Sequence, residues 1–186
     1  MYLNTETVQY KNGHNFSHFE VTTLNLLHPK KKSRWSWSQR MLDVLDRVKE
    51  EYVLILVEDF FLREKVQTEI IENLLDIMDA DNMIGQIQLF GTRTNCDNEK
   101  MNDMNATIDL QQIGDGKAKV VFVPTIWRKD VLKKWMRKWE TIWAFESYAS
   151  KRAKWWHYKE KVFRLYSPAV FNYLWEKECY CVVNGK

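Results

Sequence analysis

An α/β fold with a mostly parallel central sheet and helices on both sides is predicted by three observations. Residues 52–57 (YVLILV) are an uninterrupted apolar run, which suits a central strand buried on both faces. Residues 64–79 then place Val66, Ile70, Ile71, Leu74, Leu75 and Met78 on one helical stripe, so this stretch should cover that strand. Residues 84–90 (IGQIQLF) supply a second apolar run directly after the helix. With 186 residues, 45% hydrophobic, the chain is large enough for one domain spanning 1–186 with a sizeable core, and no Gly/Ser- or Pro-rich linker divides it.

The elements follow in order. A helix begins near Ser36 or Ser38, where a hydroxyl can accept from the first free amides, and it carries Met41, Leu42, Leu45 and Val48 at helical spacing. The strand at 52–57, the helix at 64–79 and the strand at 84–90 come next. Residues 91–117 are polar and hold three of the six glycines, which predicts a long loop. Residues 119–123 read as a third strand, ended by Pro124. A helix over 129–139 places Val131, Leu132, Trp135, Met136 and Trp139 together, so Trp135 and Trp139 are expected in the core, and a further helical stretch opens near Trp143.

Composition excludes several classes. The apolar and aromatic content is too high for a disordered chain, and six Gly with three Pro exclude collagen-like and low-complexity sequence. No apolar run reaches the ~20 residues that cross a bilayer, and residues 1–10 lack the basic start and apolar stretch of a secretion signal, so a cytoplasmic location is expected. Cys96, Cys179 and Cys181 have no metal-ligand spacing and are odd in number. Charge is uneven: residues 1–50, 51–100, 101–150 and 151–186 carry nets of +3, −7, +2 and +5. A basic end can face an anionic partner, and the same pattern also describes ordinary solvated helix faces.

In doubly wound folds ligands bind beyond the carboxyl ends of the strands, so those residues carry the chemical interest. Glu58 and Asp59 directly follow the 52–57 run. Two carboxylates there need a cation, a donor or water, and as hard oxygen ligands they suit Mg²⁺ or Mn²⁺ on a diphosphate; alternatively one caps the next helix and the other is solvated. A second group comprises Trp127 and Arg128, then Glu140, Trp143, Phe145 and Glu146. A carboxylate among Trp143 and Phe145 meets a low dielectric, which favours accepting a proton, and aromatic faces stack on the C–H faces of sugars.

The runs Trp37-Ser38-Gln39-Arg40-Met41-Leu42, residues 52–61 (YVLILVEDFF), residues 126–132 (IWRKDVL) and Trp143-Ala144-Phe145-Glu146 together resemble bacterial and viral glycosyltransferases of the GT-A fold, of the cell-surface polysaccharide type. The resemblance covers most of the chain from Trp37 onward. It implies a Rossmann-like nucleotide-diphospho-sugar transferase that moves a sugar from a nucleotide-activated donor to a hydroxyl of a glycan or lipid-linked acceptor, with inversion. It also implies that Glu58 and Asp59 bind Mn²⁺ or Mg²⁺ and the donor diphosphate, helped by Arg128 and Arg152. Glu146 corresponds to the base that deprotonates the acceptor, and Trp127, Trp143 and Phe145 shape the acceptor side. The family's acidic motif is Asp-x-Asp, whereas Val57-Glu58-Asp59 has no acid at its first position. The family's first strand-helix-strand has no counterpart here, so the chain is expected to be a truncated or reduced version.

Two other readings use the clusters at residues 30–37 (KKKSRWSW) and 151–157 (KRAKWWH), which interleave cations with aromatics. Such clusters can bind single-stranded nucleic acid, although no nucleic-acid fold signature accompanies them and the −7 segment opposes a polyanion. They also suit a membrane surface, placing the protein peripherally at the inner face of the membrane.

Overall fold

The computed structural model describes residues 35–56, 65–89, 107–114, 119–156 and 158–171, together with the backbone of 2–5 and 22–25. Glu58, Asp59 and most of the 91–117 stretch lie outside the described residues. The order is β1 (Tyr2–Thr5), β2 (Thr22–Asn25), α1 (Trp37–Leu45), β3 (Tyr52–Ile55), α2 (Thr68–Ala80), β4 (Ile84–Gln88), β5 (Asp109–Gln112), β6 (Thr125–Arg128), α3 (Lys129–Trp135), α4 (Ile142–Trp155) and β7 (Lys161–Ser167). β1 and β2 pair in parallel as a two-stranded sheet, and the other five strands form a sheet ordered β3-β6-β4-β7-β5.

The α/β class expected from the alternation is present, but the sheet is mixed and not mostly parallel. β6 lies antiparallel between β3 and β4, with Val53 and Gln86 on either side of Trp127. β4 and β7 run parallel, and β5 returns antiparallel along β7. β3, β4 and β7 therefore share one direction, and β5 and β6 oppose it. Residues 52–57 do not form the expected central strand buried on both faces: β3 lies at the edge of the five-stranded sheet, and Leu54 and Leu56 are 39% and 51% exposed, whereas β4 is buried throughout. An apolar run shows neither a strand's place in the sheet nor the direction of its neighbour.

Side-chain alternation sorts the core into two layers. Ile87, Leu89, Ile126 and Leu165 face α2, where Leu74 and Met78 are completely buried. Trp127, Val131, Leu132, Trp135, Phe145 and Ala149 pack with Leu45 and Val162 in the layer made with α1, α3 and α4. A bulge between Ile84 and Gln86 adds one residue to β4 against β7. It explains how Ile84 and Ile87, three apart, both join the α2 layer despite the period of two in a regular strand.

Local chemistry accounts for the boundaries. Ser36 caps α1, its Oγ accepting from Gln39 N at 3.1 Å. α2 begins at Thr68, later than the apolar stripe predicts, and Gln67 N instead donates to Val170 O. Residues 119–123 are not a strand: their amides bond to side chains of α4 and to one another, and the ladder starts at Thr125, beyond Pro124. α3 stops at Trp135, so the spacing that put Trp135 and Trp139 on one stripe is broken. Trp135 is fully buried, whereas Trp139 is 76% exposed, which corrects its expected core position. β5 lies within the stretch read as loop, and β7 (KVFRLYS) follows a helix whose extent the sequence left open.

Gly85 sits where the bulge brings β4 against α3. A Cβ there would lie 2.8 Å from Val131 Cγ1 and 3.1 Å from Glu160 Cβ. Gly85→Ala is expected to destabilise the protein by about 1–3 kcal/mol through overpacking. In urea unfolding, Gly85→Ala and Val131→Ala should combine non-additively, since Val131→Ala removes the obstructing methyl groups; additive effects would show that Gly85 is not closely packed.

Candidate functional site at the amino end of β6

The segment before β6 crosses the carboxyl ends of β3 and β4, and side chains hold it there. Glu146 and Ser150 stand one turn apart on α4, a spacing that puts both on one helix face. Glu146 Oε1 accepts from Phe122 N at 3.1 Å, and Ser150 Oγ accepts from both Lys119 N and Val120 N at 3.0 Å. From the sheet, buried Gln88 donates through Nε2 to Lys119 O at 3.0 Å. Its Oε1 in turn accepts from Arg164 Nε at 3.0 Å and Nη2 at 2.9 Å. A continuous polar network thus runs from β7 through β4 and residues 119–122 to α4.

Strand register gives this network a linear order. Ile55 pairs with Thr125, Thr125 with Gln88, Gln88 with Arg164 and Arg164 with Gln111, so these five side chains lie on one face in one row across the sheet. Arg164 is half-buried and has no carboxylate partner among the described residues. One pair back along β4, Gln86 is completely buried, and neither atom of its amide has a partner among the described residues. Leaving such a group unpaired costs about 1–3 kcal/mol. Beside Glu146, Phe122 packs edge-on to Trp37 at 5.1 Å between centroids, and Phe145 lies 5.9 Å from Trp37. The partly buried Glu146 carboxylate therefore adjoins an aromatic wall. Among the described residues it accepts one hydrogen bond, from Phe122 N, and so retains lone pairs with which to accept a proton.

The residues singled out in the sequence are distributed unevenly around this place. Glu146 and Phe145 are here, Phe145 as a buried wall. Trp127 is buried beneath, edge-on to Trp135 at 5.7 Å, while Trp143 is 72% exposed on the first turn of α4. Arg128 is three residues along β6 from Thr125, roughly 10 Å away, at the opposite end of the strands. It pairs with Glu51, donates to Met78 O at 2.9 Å and lies over the Tyr52 ring at 5.0 Å. Arg152 grips buried Glu140 with both guanidinium nitrogens, Nη2 to Oε2 being 3.1 Å, and Nη2 also donates to Trp135 O at 2.8 Å. Gln88, Ser150 and Arg164 were not singled out in the sequence. The visible signal was the pair Gln86 and Gln88 inside an otherwise apolar strand.

No group of three or more His, Cys, Asp or Glu side chains able to hold a metal occurs among the described residues, and Glu58 and Asp59 are not among them. No family model matches this chain, and no curated protein or solved structure matches it significantly.

Two predictions follow from polar contacts of the fold, one beside the site and one at the opposite end of the strands. Glu140→Gln leaves the Arg152 guanidinium buried without its counter-charge and should cost about 3–5 kcal/mol in urea unfolding; a loss below about 1 kcal/mol, the usual range for a surface pair, would show that the pair is solvated. The Tyr52 hydroxyl is pushed up from 10.0 to about 12, first by burial and then by its hydrogen bond to Asp79. Because the folded state holds this proton more tightly, the contribution to stability is complete below pH 10 and is lost as pH rises towards 12. Absorbance titration should show one of the eight tyrosines ionising late, and Tyr52→Phe should abolish that step.

Proposed function

We propose that this protein transfers a sugar from a nucleotide-activated donor to a hydroxyl of a glycan or lipid-linked acceptor, with Glu146 as the base. The observation that carries this reading is the partly buried Glu146 carboxylate, fixed by the Phe122 amide beside Trp37, Phe122 and Phe145, at the edge where β3 and β4 end. A base needs this combination: an anchor that fixes direction, free lone pairs, and an apolar wall that limits hydration. The sequence resemblance supports the same role, and Glu58 and Asp59 are three and four residues beyond the last residue of β3.

In this reading Glu146 takes the acceptor hydroxyl proton as the oxygen attacks the anomeric carbon from the face opposite the departing diphosphate, inverting the centre. Glu58 and Asp59 would be the residues to hold Mn²⁺ or Mg²⁺, which would offset charge on the leaving diphosphate. We assign the protein's own cationic contact to that diphosphate to Arg164. Arg128 and Arg152 already direct their guanidinium groups to Glu51 and Glu140. Trp143 offers an exposed face for a sugar ring, and Trp127 and Phe145 act from behind as packing.

A thermal-shift panel of nucleotide sugars, with and without Mn²⁺, should identify a donor that raises the melting temperature, since a ligand binding only the folded state stabilises it. With that donor, Glu146→Gln should lower kcat by about 10²- to 10⁴-fold, the usual worth of a positioned base, while leaving the thermal shift intact. Arg164→Gln should instead weaken the shift. Undiminished turnover in both Glu146→Gln and Asp59→Asn would overturn the reading.

A further inference from the structure

α4 carries aromatic side chains on both of its faces, which a helix packed on one side of a sheet does not need. Phe145, Ala149 and Ala153 point into the core. On the solvent side, Trp143 and Trp155 are 72% and 70% exposed, Tyr148 is also exposed, and Trp139 stands out from the turn before the helix. Each such ring offers on the order of 150–250 Å², so the set exceeds the few hundred Å² that a soluble surface usually leaves open. Lys151 and Lys154 lie on the same exposed face, and Lys138 flanks Trp139. None of these three lysines has a carboxylate partner among the described residues. The two acids nearest in sequence are withdrawn from this surface, Glu140 by burial against Arg152 and Glu146 by its bond to Phe122 N.

We propose that the outer face of α4, with the turn that leads into it, docks on an anionic lipid bilayer, the indole rings entering the interface and the lysines meeting the headgroups. The charge pattern selects an anionic partner, because among the described residues the face carries lysines without a carboxylate partner and no exposed acid. The shape selects a lipid surface over a nucleic acid. A single straight helix is convex, and its rings spread along 14 residues without the groove that follows a phosphate backbone. Tryptophan is the side chain that favours the headgroup region, where an apolar ring and a polar N–H are both accommodated. An extended glycan platform would in addition need carboxylate or amide groups beside the rings to bond hydroxyls, and among the described residues this face offers the Ser147 and Tyr148 hydroxyls and lysines. Trp143 is shared with the acceptor side of the proposed transferase, whereas Trp139, Trp155, Lys151 and Lys154 belong to the docking face alone, so the test rests on these four.

The whole chain should be mixed with vesicles of phosphatidylcholine alone and of phosphatidylcholine with one-third phosphatidylglycerol. It should float with the second only, release as salt rises, and show a blue shift of tryptophan emission on binding. Lys151→Gln with Lys154→Gln should lower the affinity roughly 10- to 30-fold, from about 1 kcal/mol per lysine near an anionic surface. Trp139→Ala with Trp155→Ala should remove the blue shift. All four side chains are exposed, so melting temperatures should stay near that of the parent; Lys65→Gln, on the α2 side of the sheet, should bind vesicles normally. Failure to bind anionic vesicles, binding by both double variants equal to that of the parent, or stronger binding to oligodeoxythymidylate than to vesicles would overturn the proposal. Donor-induced thermal shifts, measured on the same variants, report separately on the sugar site.

Discussion

The structure on one side of the sheet depends on a buried ion pair. Glu140 is 1% exposed, and taking its charge out of water is offset only because three groups reach it: both terminal nitrogens of Arg152, and Arg137 N at 3.0 Å. The same short stretch is tied in by its backbone. Ser38 N donates to Glu140 O at 3.1 Å, Ser36 Oγ donates to Lys138 O, and Arg152 closes the end of α3 through Trp135 O. α1, α3 and α4 therefore meet at Glu140, α1 through its main-chain oxygen and α4 through its carboxylate. The same helix carries Glu146 and Ser150, which hold residues 119–122.

This arrangement divides the tryptophans that give the sequence its unusual composition. Trp127 and Trp135 fill the layer beneath the sheet, edge to face. Trp37 lines the wall beside Glu146. Trp139, Trp143 and Trp155 face outward. Trp156, also exposed, stacks at 4.7 Å under Arg137, whose guanidinium has no acidic partner among the described residues and donates to Lys134 O, Met136 O and the Tyr158 hydroxyl. A residue type usually explained by core packing here serves three environments, separated by where α3 ends.

The elements were legible where burial imposed a period. The stripes of α1 and α2 and the runs of β3 and β4 are written in single residue types, and the Ser36 cap follows from its hydroxyl. The direction of β6 was not legible, since an apolar strand looks the same beside either kind of neighbour. Nor was the status of residues 119–123, whose amides are satisfied by Glu146 and Ser150, more than twenty residues away. The end of α3 at Trp135 hid for the same reason: it is fixed by Arg152, which no local pattern connects to it. The aromatic neighbours of Glu146 are readable in the sequence, but its bond to Phe122 N is not. The contact of Arg164 with Gln88 is not readable either, because it arises across a strand pair. The guanidinium groups of Arg128 and Arg152 looked available only because Glu51 and Glu140 were not visible as their partners.

The strand order also governs how the chain can assemble. Every ladder of the five-stranded sheet includes β6 or β7: β6 joins β3 to β4, and β7 joins β4 to β5. The three earlier strands of that sheet share no ladder with one another. During synthesis they emerge without a partner, and α2 has only β4 to cover until Thr125–Arg128 arrives. Pairing at such sequence separation is slow because the loop must close before any contact is formed. The sheet is thus completed from its carboxyl-terminal half, and the nascent chain carries open strand edges until that half has left the ribosome, a period in which capture by a chaperone competes with aggregation.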